Sequence, residues 1–540
     1  MLADLLHQCY PLSMIAKTYS IIPLGFSGSV IEIEGEKSRG LPGFNIVGMA
    51  NKTVSEARER VKAAIKSAGF SFPDDKITLN LAPADQEKEG SYLDLPIALN
   101  ILILSGQLRQ EDLAGAAFVG ELSLTGEVRP VSSIINIVET ARDAGFKQLF
   151  IPVKNFAQAS LIKNINLVGV HSLSELFAHL KNQKPITNPP NVVKNTETDE
   201  SAVSFTQIHG QETPKRALAI AVAGHHNILL SGPPGTGKTM LAKAALSLLP
   251  PLNQSEQITV TKLHNISSIS GKIVSSRPFR TPHHSASLIS LIGGGVKAEP
   301  GEISLAHLGA LFLDELPEFP RHTIETLRQP LEDRQITVTR AKVRVTYPAD
   351  FMLIATMNPC PCGYLNDPSH LCSCSDTQIQ KYQHKLSGPL LDRIDLFTTV
   401  DRVKISNLLQ SPPPKIPSQD LLTSPSKDNL RTAANTPPKQ PDYRAAVKRA
   451  IAAQHQRYQD DTTSNASLSS PNIVKYIPLS QAVKAFLDQA AEKLNLSARS
   501  YFKIIKVART IADLDGSDQV EQPHIAEALS FRYQPPINLF

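Results

Sequence analysis

An α/β fold is predicted by three features of the chain. Short apolar runs such as Ile77 to Leu81, Ala117 to Val119 and Gln148 to Ile151 alternate with helical patterns such as Val54 to Ala68. The apolar run His226 to Ser231 leads without a break into Gly232-Pro233-Pro234-Gly235-Thr236-Gly237-Lys238-Thr239 and then an apolar helical pattern, Met240 to Leu249. Two later apolar runs, Ala310 to Leu313 and Phe351 to Thr356, are followed at once by Asp314-Glu315 and Met357-Asn358. Polar groups therefore gather at strand C-termini, where open parallel sheets place their ligands.

At 540 residues the chain is long enough for two to four domains. Residues 14–182 read as a first α/β or α+β domain after an extension 1–13, and Met14 is an alternative start. The polar, Pro/Asn-rich stretch 183–204 reads as a linker. A second α/β domain spans 205–403. The segment 404–442 carries Pro412, Pro413, Pro414, Pro437 and Pro438, which forbid a packed core. In 443–540, helical periodicity over Ala482 to Leu494 and Ser500 to Leu514 predicts a small helical bundle.

Composition excludes several classes. Lys+Arg 55 against Asp+Glu 50 leaves a formal charge of +5, too small for a nucleic-acid tail, so any basic surface must be local. The longest apolar stretch, Leu95 to Leu104, is shorter than the roughly 20 residues a membrane-spanning helix needs. No Lys or Arg precedes Lys17, so a secretory signal is not expected. Four of the five cysteines fall between Cys360 and Cys374, which argues against a disulfide framework and for the cytoplasm.

The glycine-rich loop has the order strand, loop, helix that a P-loop requires. Its backbone N–H groups can wrap phosphate oxygens, Lys238 can reach the β and γ phosphates of ATP, and the Thr239 hydroxyl can ligate Mg²⁺. A glycine-rich turn in some other fold is the plainer alternative. Asp314 is the second expected Mg²⁺ ligand, and Glu315 the group that deprotonates an attacking water. Asn358 can orient that water, or can simply be a turn residue.

Residues 205–403 resemble an AAA+ ATPase module with a helical lid. Arg277-Pro278-Phe279-Arg280-Thr281-Pro282-His283-His284, Pro300-Gly301-Glu302-Ile303-Ser304-Leu305-Ala306-His307 and Ser387-Gly388-Pro389-Leu390-Leu391-Asp392-Arg393-Ile394-Asp395 are similar to the magnesium-chelatase-like branch, and within it to the ComM/YifB family. The resemblance implies that Asn358 is the sensor-1 residue and Arg393 an arginine finger for the neighbouring subunit's ATP. It implies that Arg499 is the sensor-2 arginine of the lid, and that Ile208, Gly210 and Gln211 border the adenine. Arg393 in a local ion pair with Asp392 or Asp395 is the alternative.

The long interval between Lys238 and Asp314 is expected to project as a loop carrying Arg277 and Arg280 toward DNA. Gln335 to Val345 reads as a β-hairpin with Arg340 at its turn, and period two puts Lys342 and Arg344 on one face, Val343 and Val345 on the other. It resembles the pre-sensor-1 hairpin of this clade, which implies cations aimed at DNA phosphates in a central pore. A merely solvated face is the alternative.

Cys360-Pro361-Cys362 and Cys372-Ser373-Cys374 can supply four thiolates to a structural Zn²⁺, or remain four reduced thiols. His370 reads as a loop residue. Residues 20–155 resemble a Lon-protease-type α+β domain through Lys88 to Asp94, Gly120 to Gly126 and Ile151 to Asn155. In register, Tyr92 stands where the family's nucleophilic serine belongs and Ile135 where its lysine belongs, while Ser91 has no base, so peptidase activity is not expected.

Together these readings describe an ATP- and Mg²⁺-dependent homo-hexameric motor with no membrane association. The resemblance implies DNA as the partner, branch migration in homologous recombination and natural transformation as the activity, and recombination proteins as further partners. A chelatase-type subunit remodelling a protein partner is the second reading, and an ATP-dependent protease the third.

Overall fold

The computed structural model describes residues 15–532 apart from 49–51, 86–87, 89, 190–204, 206–207, 209, 267–271, 296–297, 341–342, 366, 368 and 403–441. The extension 1–13, most of the expected linker and nearly all of the expected Pro/Ser-rich segment thus lie outside the described residues.

The N-terminal domain is built on a four-stranded sheet ordered Ile15–Leu24, Ser27–Ser38, Lys76–Ala82, Gly43–Val47, antiparallel except for the last pair. Alternation sends Ile31, Ile33, Ile77, Leu79 and Leu81 into the core. The apolar stretch too short to span a membrane forms the helix Asp94–Leu104, buried along its whole length. Its one central polar side chain, Asn100, donates to the carbonyls of Ala16 (3.1 Å) and Ile33 (3.0 Å), which ties the helix to two strands. A smaller parallel sheet, Ala116–Phe118, Gln148–Pro152 and Asn166–Val170, completes the domain.

The second domain carries five parallel strands in the order Phe279–Arg280, Ala310–Leu313, Met352–Met357, Ile228–Ser231, Leu396–Thr399. The strand that comes first in this domain, Ile228–Ser231, sits between the last two, so the crossovers change direction beside it and leave a crevice at its C-terminal end. Period two splits each strand between two cores. Ile228, Leu230, Phe312 and Ile354 face one side, and Leu229, Leu311, Leu313 and Leu353 the other.

The tail contains the helices Tyr443–Tyr458, Ser470–Tyr476, Gln481–Lys493, Ala498–Asp515 and Gln522–Ser530. It is less separate than its sequence pattern predicts. Ile504, Ala508 and Ile511 join Ile228, Leu230 and the helix Glu212–Gly224 in a single core. Polar groups stitch the same seam: buried His226 bonds Thr510 (2.8 Å) and Asp395 (3.3 Å), and Lys503 donates to the Ile394 carbonyl (2.6 Å).

The interval between Lys238 and Asp314, in its described residues, packs against the rest of the protein and does not project, which corrects the sequence expectation. Its helix Gln254–His264 lies against the N-terminal domain, with Ile258 and Ile273 packed on that domain's core. Lys262 pairs with Glu139 (2.5 Å) and sits over the Phe26 ring (4.2 Å), and the Gln158 amide donates to the Lys272 carbonyl (2.8 Å). Burying two isoleucines and a salt-bridged lysine outweighs exposing them on a free loop. Among the described residues no helix is long and apolar enough to cross a membrane.

His307 is buried, its Nδ1 accepting from the Asp350 backbone N–H (3.1 Å), and burial pulls its pKa down to about 4 against the opposing charge of Asp350. The unfolded imidazole, near 6.5, takes up a proton first as pH falls, so this group's stabilisation is complete above about 6.5 and lost toward 4. In His307→Asn, whose amide oxygen can replace Nδ1 as acceptor, denaturant titrations at pH 7 and pH 4.5 should differ by about 2 kcal/mol less than in the parent. Equal pH slopes in the two proteins would refute this assignment.

Candidate functional site

Register brings the polar strand ends together. Ser231 pairs with Met357 and Leu313 with Ala355, so the loops that follow all three strands open on one crevice. The helix Lys238–Leu246 begins there, after Gly235 (φ +76°) and Gly237 (φ +85°), whose left-handed backbone suits glycine. Lys238 is buried and folds back on its own loop. Its ammonium donates to the carbonyls of Gly232 (2.6 Å) and Pro233 (2.9 Å) and to the Asn358 side-chain oxygen (3.2 Å). Burial pulls its pKa below the usual lysine range, while Asp314 and Glu315 pull the other way. Thr236 donates to the Pro233 carbonyl (3.0 Å), closing the turn in which Pro233 and Pro234 sit.

The Thr239 hydroxyl donates to Asp314 (3.2 Å), so the two expected Mg²⁺ ligands are adjacent. Two exposed oxygens of this kind, beside a loop of backbone donors, fit a hard, octahedral cation that keeps several waters. Glu315 follows with φ +52°, a left-handed conformation rarely adopted by a side chain of this size, and the backbone leaves the strand there for the short turn Leu316–Glu318.

Sequence reasoning missed Thr356. Wholly buried on the neighbouring strand, it donates to the other oxygen of Asp314 (2.5 Å) and accepts from the Glu315 backbone N–H (3.0 Å). It fixes both carboxylate residues at once. A threonine in a strand otherwise reading Met-Leu-Ile-Ala-Thr-Met was the available signal.

Three family profiles match the chain: magnesium chelatase, subunit ChlI, over residues 204–408; subunit ChlI of Mg-chelatase over 33–155; and the C-terminal part of subunit ChlI over 439–532. Competence protein ComM of Haemophilus influenzae is 40% identical over 528 residues, covering 96% of this chain and 97% of that protein. The chain belongs to the ComM/YifB family of magnesium-chelatase-like AAA+ proteins. YifB of Salmonella typhimurium is likewise 40% identical, over 96% of this chain and 97% of its own. DNA repair protein RadA of Listeria monocytogenes is 35% identical over 89 residues, 16% of this chain and 20% of that one.

In this ComM/YifB-family chain Ile208 is buried in the core that holds Leu230, and Gly210 (φ +65°) and Gln211 (φ +59°) turn the backbone into the helix Glu212–Gly224. Arg393 bonds neither Asp392 nor Asp395. It pairs with Glu332 (2.7 Å), and Arg499 pairs with the same carboxylate oxygen at the same distance. The two arginines hold the Glu332 carboxyl below its usual range, Arg393 most strongly. Both therefore lie at one place, beside a cleft of about 490 Å³ lined by Ile292, Glu325, Gln329 and Ile336.

The expected DNA contacts divide. Arg277 is not free, since it donates to the carbonyls of Pro250 (2.7 Å) and Leu308 (2.8 Å) and pairs with Glu256 (3.1 Å). Arg280 is held by both oxygens of Glu302 (2.6 and 2.7 Å). These guanidiniums are partly buried and spent on neighbours within the insertion, which they brace. The hairpin does form, Gln335–Arg340 against Val343–Pro348, with Arg340 opposite Val343 at the end of the described ladder. Arg344 is exposed and Val345 buried, as alternation requires. Lys342 and the Arg340 side chain lie outside the described residues. The buried face touches the N-terminal domain, where the Phe26 ring lies 6.2 Å from that of Tyr347.

In that domain the Tyr92 hydroxyl bonds Ser132 (2.6 Å), Ile135 is buried, Ser91 bonds Glu121 and the Lys88 ammonium is taken by the Pro83 carbonyl. No lysine meets a serine hydroxyl among these residues.

The cysteines converge. Sulfurs of Cys360 and Cys362 lie 3.4 Å apart, Cys360 and Cys372 3.7 Å, Cys362 and Cys372 3.5 Å, and Cys374 accepts from the Cys362 N–H (3.4 Å). All four sulfurs fall within 4.8 Å of one another. A tetrahedron with Zn–S bonds of about 2.3 Å has edges of roughly 3.8 Å, so this soft four-sulfur set fits zinc. His370 stays outside it, stacked on Tyr364 (4.8 Å).

Thr356→Val keeps the side-chain shape and removes both bonds that hold Asp314 and Glu315. ATP turnover should fall about 10- to 100-fold while the protein remains folded. Unchanged turnover and Mg²⁺ dependence in a steady-state assay would remove Thr356 from the site.

Proposed function

We propose that this chain is an ATP-driven DNA motor that assembles as a hexamer and promotes branch migration during homologous recombination and natural transformation. The observation that carries the nucleotide half is the meeting of Lys238, Thr239, Asp314 and Asn358 in one crevice, with Glu315 beside them. The DNA half is supported by full-length similarity to a competence protein and by the local similarity to a DNA repair protein.

In this reading the loop amides of residues 232–239 hold the phosphates. Lys238 exchanges its two loop carbonyls for the β and γ phosphate oxygens, which return charge to a site that now disfavours it. Thr239 and Asp314 would hold Mg²⁺, which when bound would offset the negative charge of the triphosphate. Glu315 takes the proton of the attacking water, and Asn358 fixes that water's position. Arg393 leaves Glu332 to act as the arginine finger for the triphosphate of a neighbouring copy, and Arg499, freed from the same carboxylate, is the sensor-2 arginine of the lid. Ile208, Gly210 and Gln211 border the adenine. The hairpin turn, Arg340 to Arg344, meets DNA phosphates without reading sequence.

The alternative, a chelatase-type remodelling subunit, draws on the profile descriptions. It is the weaker reading because the magnesium-chelatase subunit ChlI of Euglena gracilis covers 31% of this chain against 96% for ComM. The protease reading is opposed by Tyr92 and Ile135. Zinc in the Cys360, Cys362, Cys372 and Cys374 site belongs to the proposal as a structural ion.

Glu315→Gln should bind ATP and assemble but lose turnover by at least about 100-fold. Lys342→Ala/Arg344→Ala should keep basal ATPase activity and lose displacement of strands from forked and four-way DNA. Hydrolysis insensitive to DNA, with no junction movement at low salt, would overturn the motor reading.

A further inference from the structure

The four-cysteine loop leans on the P-loop. Between the end of the strand Met352–Met357 and the start of the helix Asp376–Gln383, the described residues form no helix or strand. This stretch nevertheless makes one wall of the nucleotide crevice. At its start the Met357 carbonyl accepts from the Gly232 N–H (3.2 Å), and Asn358 accepts from Lys238 (3.2 Å). Five residues beyond Asn358, Gly363 turns with φ +84°, and a Cβ placed there would lie 2.7 Å from Cδ of Pro234 and 3.9 Å from Cγ of Asn358. The crest of the P-loop thus rests on the backbone that directly follows Cys362.

The outer side of the same loop is tied to the other strand flanking the P-loop. Arg402 pairs with Asp367 (3.1 Å) and lies over the Tyr364 ring (5.7 Å). The backbone of Val400, two residues earlier, donates to the Ser231 carbonyl (2.7 Å). A loop with no ladder or helix of its own must be held by side chains, and the densest set here is the four sulfurs. Cross-linking them through one ion removes the conformational freedom of the loop and fixes the Gly363 turn.

We infer that the four-cysteine loop is a metal-dependent brace of the nucleotide pocket, so that zinc occupancy at Cys360, Cys362, Cys372 and Cys374 sets the affinity for ATP. The inference rests on the zinc reading given above. It extends that reading from a structural ion to a control point, since loss of the ion frees the turn against which Pro234 sits.

Two measurements on the full-length chain test it, metal content and equilibrium binding of a fluorescent ATP analogue. Each is made as purified, after stripping with a thiol-directed mercurial and chelator that are then removed by thiol and dialysis, and after adding zinc back. About one zinc per chain is expected, with analogue binding weakened about tenfold or more on stripping and restored by zinc. Gly363→Ala, which keeps all four thiols and presses a methyl on Pro234, should retain zinc and bind the analogue similarly weakly. Zinc well below one per chain, both as purified and after reconstitution, overturns the metal site and the brace with it. One zinc per chain in the purified and reconstituted protein and none after stripping, with affinity within about twofold in loaded, stripped and Gly363→Ala protein, leaves the metal site standing and overturns the brace. If stripping unfolds the chain, Gly363→Ala decides alone: full zinc with unchanged analogue affinity overturns the coupling.

Discussion

The molecule depends on the register of three parallel strands. Pairing Ser231 with Met357 and Leu313 with Ala355 makes a lysine, a threonine, an aspartate and an asparagine from distant parts of the chain neighbours. A one-residue slip of the strand Ile228–Ser231 would turn Leu230 and Leu229 to the wrong cores and carry the crevice apart with them. The apolar alternation that stabilises the sheet is therefore the same constraint that assembles the polar site. Thr356 makes this explicit, since it is a buried strand residue whose hydroxyl serves the carboxylates next door.

Around that sheet the other parts are coupled by burial. The tail helices complete one face of the sheet, and the hairpin with the insertion completes the other. The insertion in turn seats the N-terminal domain through Ile258, Ile273 and Lys262. Glu332 gathers Arg393 from the last turn before the final strand and Arg499 from the tail, so two cations placed far apart in sequence share one anion.

Much of this was legible in the residue order. The P-loop and the Asp314-Glu315 pair announce themselves because glycine, lysine and adjacent carboxylates are costly at strand ends without a ligand to serve. Helices at 481–493 and 498–515 follow from their apolar period. What stayed hidden depends on partners distant in the chain. Arg277 and Arg280 look like exposed cations until Glu256 and Glu302 are seen beside them. Ile258 and Ile273 carry no sign of the surface they cover. Arg393 offered two acidic neighbours in sequence, and folding supplied a third from 61 positions away, the difference between 393 and 332.

The shared core of sheet and tail has a consequence for how such a chain can diverge. Because Ile504, Ala508 and Ile511 complete the same interior as Ile228 and Leu230, the two segments form one cooperative unit although residues 403–441 separate them in sequence. On either side of that interval Arg402 pairs with Asp367 (3.1 Å) and Asp442 accepts from the Ala445 N–H (3.0 Å). A substitution at Ile504 or Ile511 is therefore felt beneath the strand that leads into the P-loop, so tail and sheet must change together as such chains diverge.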